Sequence, residues 1–196
     1  MSTNFFDKYK SDFIKTLNLI QNRDFNKCIK LLKGIRKKKG RLFIIGVGGS
    51  SANASHAVND FRKICNIEAY CPSDNVSELT ARTNDDGFEH IFSSWLETSN
   101  ITNKDLLMIF SVGGGNLKKK VSVNIINAIK YANKKKVKSI SFIGKKDGYA
   151  FKNSTVPVLF KISRKDFITP ISEAMQAVLW HAIVSDPNLK YNKTKW

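Results

Sequence analysis

Between Leu42 and Asp60 the chain reads Leu-Phe-Ile-Ile-Gly-Val-Gly-Gly-Ser-Ser-Ala-Asn-Ala-Ser-His-Ala-Val-Asn-Asp: an apolar run, a glycine turn with two hydroxyls, and a helical pattern. A short run of Leu, Phe and Ile bounded by glycines suits a strand buried on both faces of a parallel sheet. Gly46, Gly48 and Gly49 allow positive φ and close backbone approach, and Ser50 or Ser51 is placed to cap the helix that follows. Strand, turn and helix N-terminus together aim several N–H groups and the positive end of a helix dipole at one point. That is an anion site, most often for phosphate. The same residues also suit an ordinary strand-to-helix connection whose glycines only tighten the turn.

A second unit of this kind follows. Asp105 precedes a buried strand over 106–110, which runs into Ser111-Val112-Gly113-Gly114-Gly115-Asn116 and a crossover helix over 121–133. Further strands are expected around 67–70, ended by Pro72, over 138–143, closed by Gly144, and over 156–162. Helices are expected over 52–65, 76–82, 88–98 and from Pro170 to about Ser185, with Thr83 to Phe88 forming a polar turn. Ahead of the first strand, Phe6, Tyr9, Phe13, Leu17 and Ile20 mark an amphipathic helix over 4–21. A second helix, about 26–38, carries Cys28, Ile29, Leu31, Leu32 and Ile35, with Lys37, Lys38 and Lys39 at its C-terminal end and Gly40 to stop it. Alternating strands and helices indicate an α/β fold with a doubly wound parallel sheet in a three-layer α/β/α sandwich. Ligands then belong at the carboxyl ends of the strands. The whole of 1–196 reads as one domain. Residues 1–39 form a helical extension that packs on another subunit or simply covers the sheet.

Composition narrows the function classes. The opening Met-Ser-Thr-Asn-Phe-Phe-Asp-Lys lacks the order of a signal peptide, and no apolar run approaches the roughly 20 residues of a membrane span. Cys28, Cys65 and Cys71 are odd in number and form no Cys-x-x-Cys, which argues against disulfide and zinc-ribbon frameworks. A cytoplasmic protein is expected. The formal charge of +17 raises nucleic acid, membrane surface and anionic substrates as partners. The lysines are scattered over loops and helix ends, at 37–39, 118–120, 134–136, and in the tail at 190, 193 and 195, without interleaved aromatics for base stacking. That pattern argues against nucleic acid and for a solvated surface that steers anionic substrates.

Two glycine turns with serines, each after a strand, resemble the sugar-isomerase (SIS) domain, a flavodoxin-like fold. Within it the chain is most similar to the phosphoheptose isomerases. Gly48-Gly49-Ser50 followed by His56, then Asn84-Asp85-x-Gly-Phe ahead of Ile91-Phe92, then Ser111 with its glycine loop carry the resemblance. It implies an aldose–ketose isomerase converting sedoheptulose 7-phosphate to D-glycero-D-manno-heptose 7-phosphate in bacterial heptose biosynthesis. The sugar-phosphate site would be lined by Gly48, Gly49, Ser50, Asn84, Asp85, Ser111 and Gly113, between subunits of a homotetramer. It also implies a zinc site, with His and a carboxylate on the helix after the first turn and Gln and His eight residues apart on the last helix. His56 matches the first ligand, and Asp60 stands where the family has Glu.

The last helix aligns in two ways: Ser172 and Trp180 at the metal positions, which would abolish that half of the site, or Glu173 and His181, which fit the apolar pattern better. The second gives His56, Asp60, Glu173 and His181 as zinc ligands, an N/O set acceptable to the ion. Asp60 is then the expected base and His181 its acid partner. Against this, His56 and Asp60 are four apart and also suit a helix-surface pair, and His181 beside Trp180 also suits a core histidine bonded to a backbone carbonyl. Gly113 and Asn116 stand where the family usually carries serines, and Val47 where it has Asn. A non-catalytic SIS module, binding a sugar phosphate or a replication initiator, is the alternative. A dinucleotide enzyme is disfavoured, because Gly46-Val-Gly-Gly-Ser lacks a third glycine and Glu68 falls at the start of the next strand.

Overall fold

The computed structural model describes residues 4–194, so Lys195 of the basic tail lies outside the described residues. Five parallel strands, β1 (Leu42–Ile45), β2 (Ala69–Tyr70), β3 (Leu106–Ser111), β4 (Lys138–Ile143) and β5 (Val156–Leu159), form one sheet in the order β2-β1-β3-β4-β5. Central β3 is buried at every position, whereas edge strand β5 alternates and tolerates Pro157, whose missing N–H faces no partner strand. Leu42, Ile44, Leu106, Met108, Phe110, Ile140 and Phe142 point into one apolar layer, and Phe43, Ile45, Leu107 and Ile109 into the other. Side-chain alternation along each strand thus builds both interfaces of a three-layer sandwich.

The first layer is covered by α2 (Asn22–Lys37), α3 (Gly49–Cys65) and α8 (Ile168–Ser185), and the second by α5 (Ile91–Thr98), α6 (Val123–Lys134) and α7 (Tyr149–Asn153). Helix α2 puts Cys28, Ile29, Leu32 and Ile35 into the core, so this part of the extension does cover the sheet. Helix α1 (Phe5–Asn18) is tied down differently. The Asp12 carboxylate accepts from the Ser163 and Arg164 N–H groups at 3.1 and 3.0 Å, and Tyr9 packs on Phe167. Phe6, Ile14 and Leu17 are left facing outward.

Several sequence expectations are corrected. Thr83, Asn84, Asp85 and Asp86 form the last turn of α4 (Val76–Asp86), not a loop, because Arg82 pairs with Glu78 and Asp86 four residues to either side and Thr83 bonds back to Leu79. Ser50 and Ser51 lie inside α3, whose N-cap is Gly48 at φ 63° with no side-chain cap. At the end of α2 the left-handed position falls on Lys39; Gly40 is needed because a Cβ there would lie 2.0 Å from the Lys104 carbonyl oxygen. By length and mean hydropathy alone the stretch Lys165–Ser185, 21 residues, passes for a membrane span, as a buried core helix also does. Half of it is buried in the fold, where α8 packs lengthwise on α3.

Candidate active site

The topology determines where a ligand can sit. From β1 the chain runs out through α3 to β2, then crosses β1 to reach β3, so the winding reverses between β1 and β3. Such a reversal opens a crevice at the carboxyl ends of the two strands. Ile45 is in register with Ile109, so the two glycine turns leave the sheet side by side at that crevice.

At the first turn Gly46 lets the backbone close on α3, since a Cβ would lie 2.4 Å from the Ser50 carbonyl oxygen. Ser50 is buried in the first turn of α3, and its Oγ accepts from Gln176 Nε2 at 3.0 Å; Asn53 donates to Gln176 Oε1 and to the Glu173 carbonyl, each at 2.9 Å. These bonds lock α3 to α8. At the second turn the Ser111 hydroxyl accepts from the Gly114 N–H at 3.0 Å, which folds the turn back over the end of β3. Asn84 and Asp85 are exposed on α4 and bond to each other at 2.8 Å. No hydrogen bond among the described residues joins them to either turn.

One and two turns further along α3, His56 and Asp60 share a face, and α8 brings His181 to them. Asp60 is buried, with His181 Nε2 at 3.4 Å and His56 Nε2 at 3.7 Å from its Oδ2. The two imidazole rings meet at 5.3 Å between centroids. His181 is exposed rather than a core residue, although its Nδ1 does bond the Ala177 carbonyl at 2.9 Å. A carbonyl only accepts, so Nδ1 carries the proton and Nε2 keeps its lone pair in the neutral ring.

Sequence reasoning missed what holds Asp60. The Trp180 indole N–H donates to Oδ2 at 3.0 Å and the Asn59 amide to Oδ1 at 3.1 Å. Trp180 is itself fixed by stacking on Phe110, 5.9 Å between centroids. The two alignments considered for the last helix are two neighbouring stripes of α8. Ser172, Gln176 and Trp180 form a buried stripe, and Glu173, Ala177 and His181 the more open one beside it. Both stripes touch α3. The signal available in the sequence was the i, i+4, i+8 spacing of Gln176 and Trp180 with Ser172, polar groups on a helix face otherwise apolar.

His56, Asp60 and His181 offer two imidazole nitrogens and one carboxylate oxygen within 4.8 Å of one another. With Nε2 of His181 free as a lone-pair donor and its Nδ1 anchored on a carbonyl, this donor set fits a zinc-type ion with three protein ligands. Glu173 does not join them. Its carboxylate rests on Gly49, where an added methyl would lie 2.6 Å from Oε2.

The SIS-domain family profile matches residues 5–144. The phosphoheptose isomerase of Buchnera aphidicola subsp. Schizaphis graminum is 31% identical over 145 residues, covering 72% of this chain and 70% of that protein. That of Thermodesulfovibrio yellowstonii is 26% identical over 189 residues, 90% of this chain and 88% of its own length. Among solved structures, phosphoheptose isomerase from Neisseria gonorrhoeae superposes with a TM-score of 0.76 at 23% identity, covering 91% of this chain and 93% of that one, which is a likeness of fold.

Proposed function

Since this chain belongs to the SIS-domain phosphoheptose isomerase family, as a divergent member, we propose that it is an aldose–ketose isomerase in the cytoplasm. Its proposed reaction takes sedoheptulose 7-phosphate to D-glycero-D-manno-heptose 7-phosphate in bacterial heptose synthesis. The single observation that carries this reading is the meeting of His56, Asp60 and His181 beside the β1–β3 crevice.

The reaction moves a proton from C1 to C2 of the ketose through an enediolate. Asp60 is the proposed base that takes the C1 proton, its carboxylate held in one rotamer by Trp180 and Asn59. His181 gives its Nε2 proton to the C2 carbonyl oxygen as the enediolate forms and takes the O1 proton back as Asp60 returns its proton to C2, while Nδ1–H stays on the Ala177 carbonyl. Gly48, Gly49, Ser50, Ser111 and Gly113 form the proposed wall for the sugar phosphate, so that binding of the remote group orients the reacting carbons. Asn84 and Asp85 enter only in an assembly, and a homotetramer is part of the proposal. Zinc, where bound by His56, Asp60 and His181, would polarise the sugar oxygens.

Incubation with sedoheptulose 7-phosphate, with and without zinc, tests the reading by the appearance of the aldose phosphate. The acid and ligand roles of His181 use one atom and exclude each other. Activation by zinc therefore assigns His181 to the ion, and inhibition assigns it to proton transfer. Absence of product under both conditions favours a second reading, a sugar-phosphate-binding or initiator-binding regulatory module. What favours that reading is that Glu173 is turned to Gly49 instead of toward the two imidazoles.

A further inference from the structure

Between the α4–α5 connection and the start of α6 lies a hollow of about 670 Å³, a size that suits a small organic molecule. None of Gly48, Gly49, Ser50, Ser111 and Gly113 lines it, so it is not the crevice described above. Two segments are fixed around it. Phe88 and Glu89 come from the α4–α5 connection, which is pinned to α6 because the Asn127 amide donates to the Glu89 carbonyl at 2.9 Å. Leu117 and Lys120 come from a short hairpin closed by reciprocal backbone bonds between Asn116 and Val121 at 2.9 and 3.1 Å.

Asn124, in the first turn of α6, completes the lining and is only 1% exposed. Its Oδ1 accepts from the Ile125 N–H at 2.8 Å, which leaves the amide nitrogen as the unspent end, and Nδ2 has no partner among the described residues. A buried donor without an acceptor is costly, and an acceptor held in the hollow would satisfy it. The Glu89 carboxylate and the Lys120 ammonium form no ion pair among the described residues. Phe88 and Leu117, each 49% exposed, add apolar faces. One donor, one carboxylate, one cation and one aromatic ring thus surround the same space. Guanine answers to all of them when it carries a phosphate. Its O6 accepts, its N1–H and exocyclic amine donate side by side to a carboxylate, its flat face stacks on an aromatic ring, and its phosphate pairs with a cation. Adenine has an amine where guanine has O6, and so sets donor against donor at Asn124.

We propose that this hollow binds a guanine nucleotide. Phe88 stacks on the base, Asn124 Nδ2 donates to O6, Glu89 accepts from N1–H and the exocyclic amine, and Lys120 pairs with the phosphate. The inference does not depend on the isomerase reading of the crevice.

Calorimetric titration of GMP into the full chain tests it, with AMP and ribose 5-phosphate as comparisons. AMP should bind about tenfold or more weakly than GMP. Ribose 5-phosphate, which brings the phosphate without the base, should not displace GMP. F88A and E89Q should each weaken GMP about tenfold, and N124D, which keeps the shape but loses the donor, should do the same. Melting temperatures of F88A and E89Q should not move, because both side chains are exposed, so their losses report binding even if N124D folds poorly. K118A, on the same hairpin but outside the lining, should stay within about twofold of the parent. No GMP binding by the parent, AMP bound as tightly, displacement of GMP by ribose 5-phosphate, or GMP binding untouched by F88A and E89Q overturns the proposal. A parent that ignores GMP while F88A changes its sedimentation overturns it in favour of a contact between copies of this chain.

Discussion

Asp60 is a buried carboxylate beside two imidazoles, and the residues around it are arranged to hold it. Trp180 reaches across from α8 with a donor that cannot ligate a metal, leaving the rest of Oδ2 to the two histidines. W180F removes that donor from a buried carboxylate. It should cost about 2 kcal/mol in urea unfolding and weaken zinc binding roughly tenfold or more by calorimetry; an unchanged zinc affinity would mean that the indole serves packing alone. A second buried carboxylate has a purely structural task. Asp105 accepts from Arg41 through its backbone N–H, Nε and Nη2 and from the Thr102 N–H, pinning the start of β3 to the residue ahead of β1. Burial alone would raise its pKa, but the hydrogen bonds from Arg41 and Thr102 outweigh it and hold the carboxyl below its ordinary value. A depressed folded-state pKa gives stability that is complete above the unfolded value of about 3.9 and fades as pH falls through the folded one. D105N should therefore cost about 2–3 kcal/mol at neutral pH, and the gap between parent and variant should close as the pH drops below about 4. A gap that stays constant down to pH 3 would contradict the assignment.

At the scale of elements, the strands and most helices were legible because each pattern had one solution. The run Leu106 to Phe110 is apolar at every position and bounded by Asp105 and Ser111, which only a strand covered on both faces satisfies. Legibility failed where a tertiary contact decided the matter. Gly40 was expected to end α2, but Lys39 takes the left-handed position there, and Gly40 serves the close passage of the Lys104 carbonyl. Ser50 reads as a cap, yet its hydroxyl is committed to Gln176 on a helix 126 residues away in sequence. The site was half legible for the same reason. The i, i+4 spacing fixed His56 beside Asp60 in advance, but whether α8 offered Trp180 or His181 depended on its rotation against α3, and it offers both. These glycines can be told apart by substitution. G40A forces a Cβ to 2.0 Å from a backbone oxygen and should cost about 2–3 kcal/mol or more. G113A meets nothing within 4 Å at an ordinary φ and should stay within about 0.5 kcal/mol of the parent. Equal losses in the two would show that the turn, not the close passage, sets the requirement.

For the whole molecule the governing quantity is the charge of +17, because it acts with opposite signs on the two associations proposed. Copies of this chain repel one another, so any assembly must be driven by apolar surface, and α1 supplies it: Phe6 is 63% and Leu17 39% exposed on a helix otherwise anchored through Asp12, Tyr9 and Phe13. A phosphorylated sugar is instead drawn in by the same field. Salt shortens the reach of both effects, from about 30 Å at 0.01 M to 3 Å at 1 M. Raising it should lift the KM for the sugar phosphate several-fold with little change in kcat, while sedimentation shifts toward the larger species. F6E/L17E should abolish the shift in sedimentation at every salt concentration, since it removes the apolar drive and not the repulsion, and should leave the exposed-lysine steering intact. If KM fell with salt, or assembly loosened as the repulsion was screened, the charge would not be the long-range control on either process. The lysines would then be no more than a solvated coat.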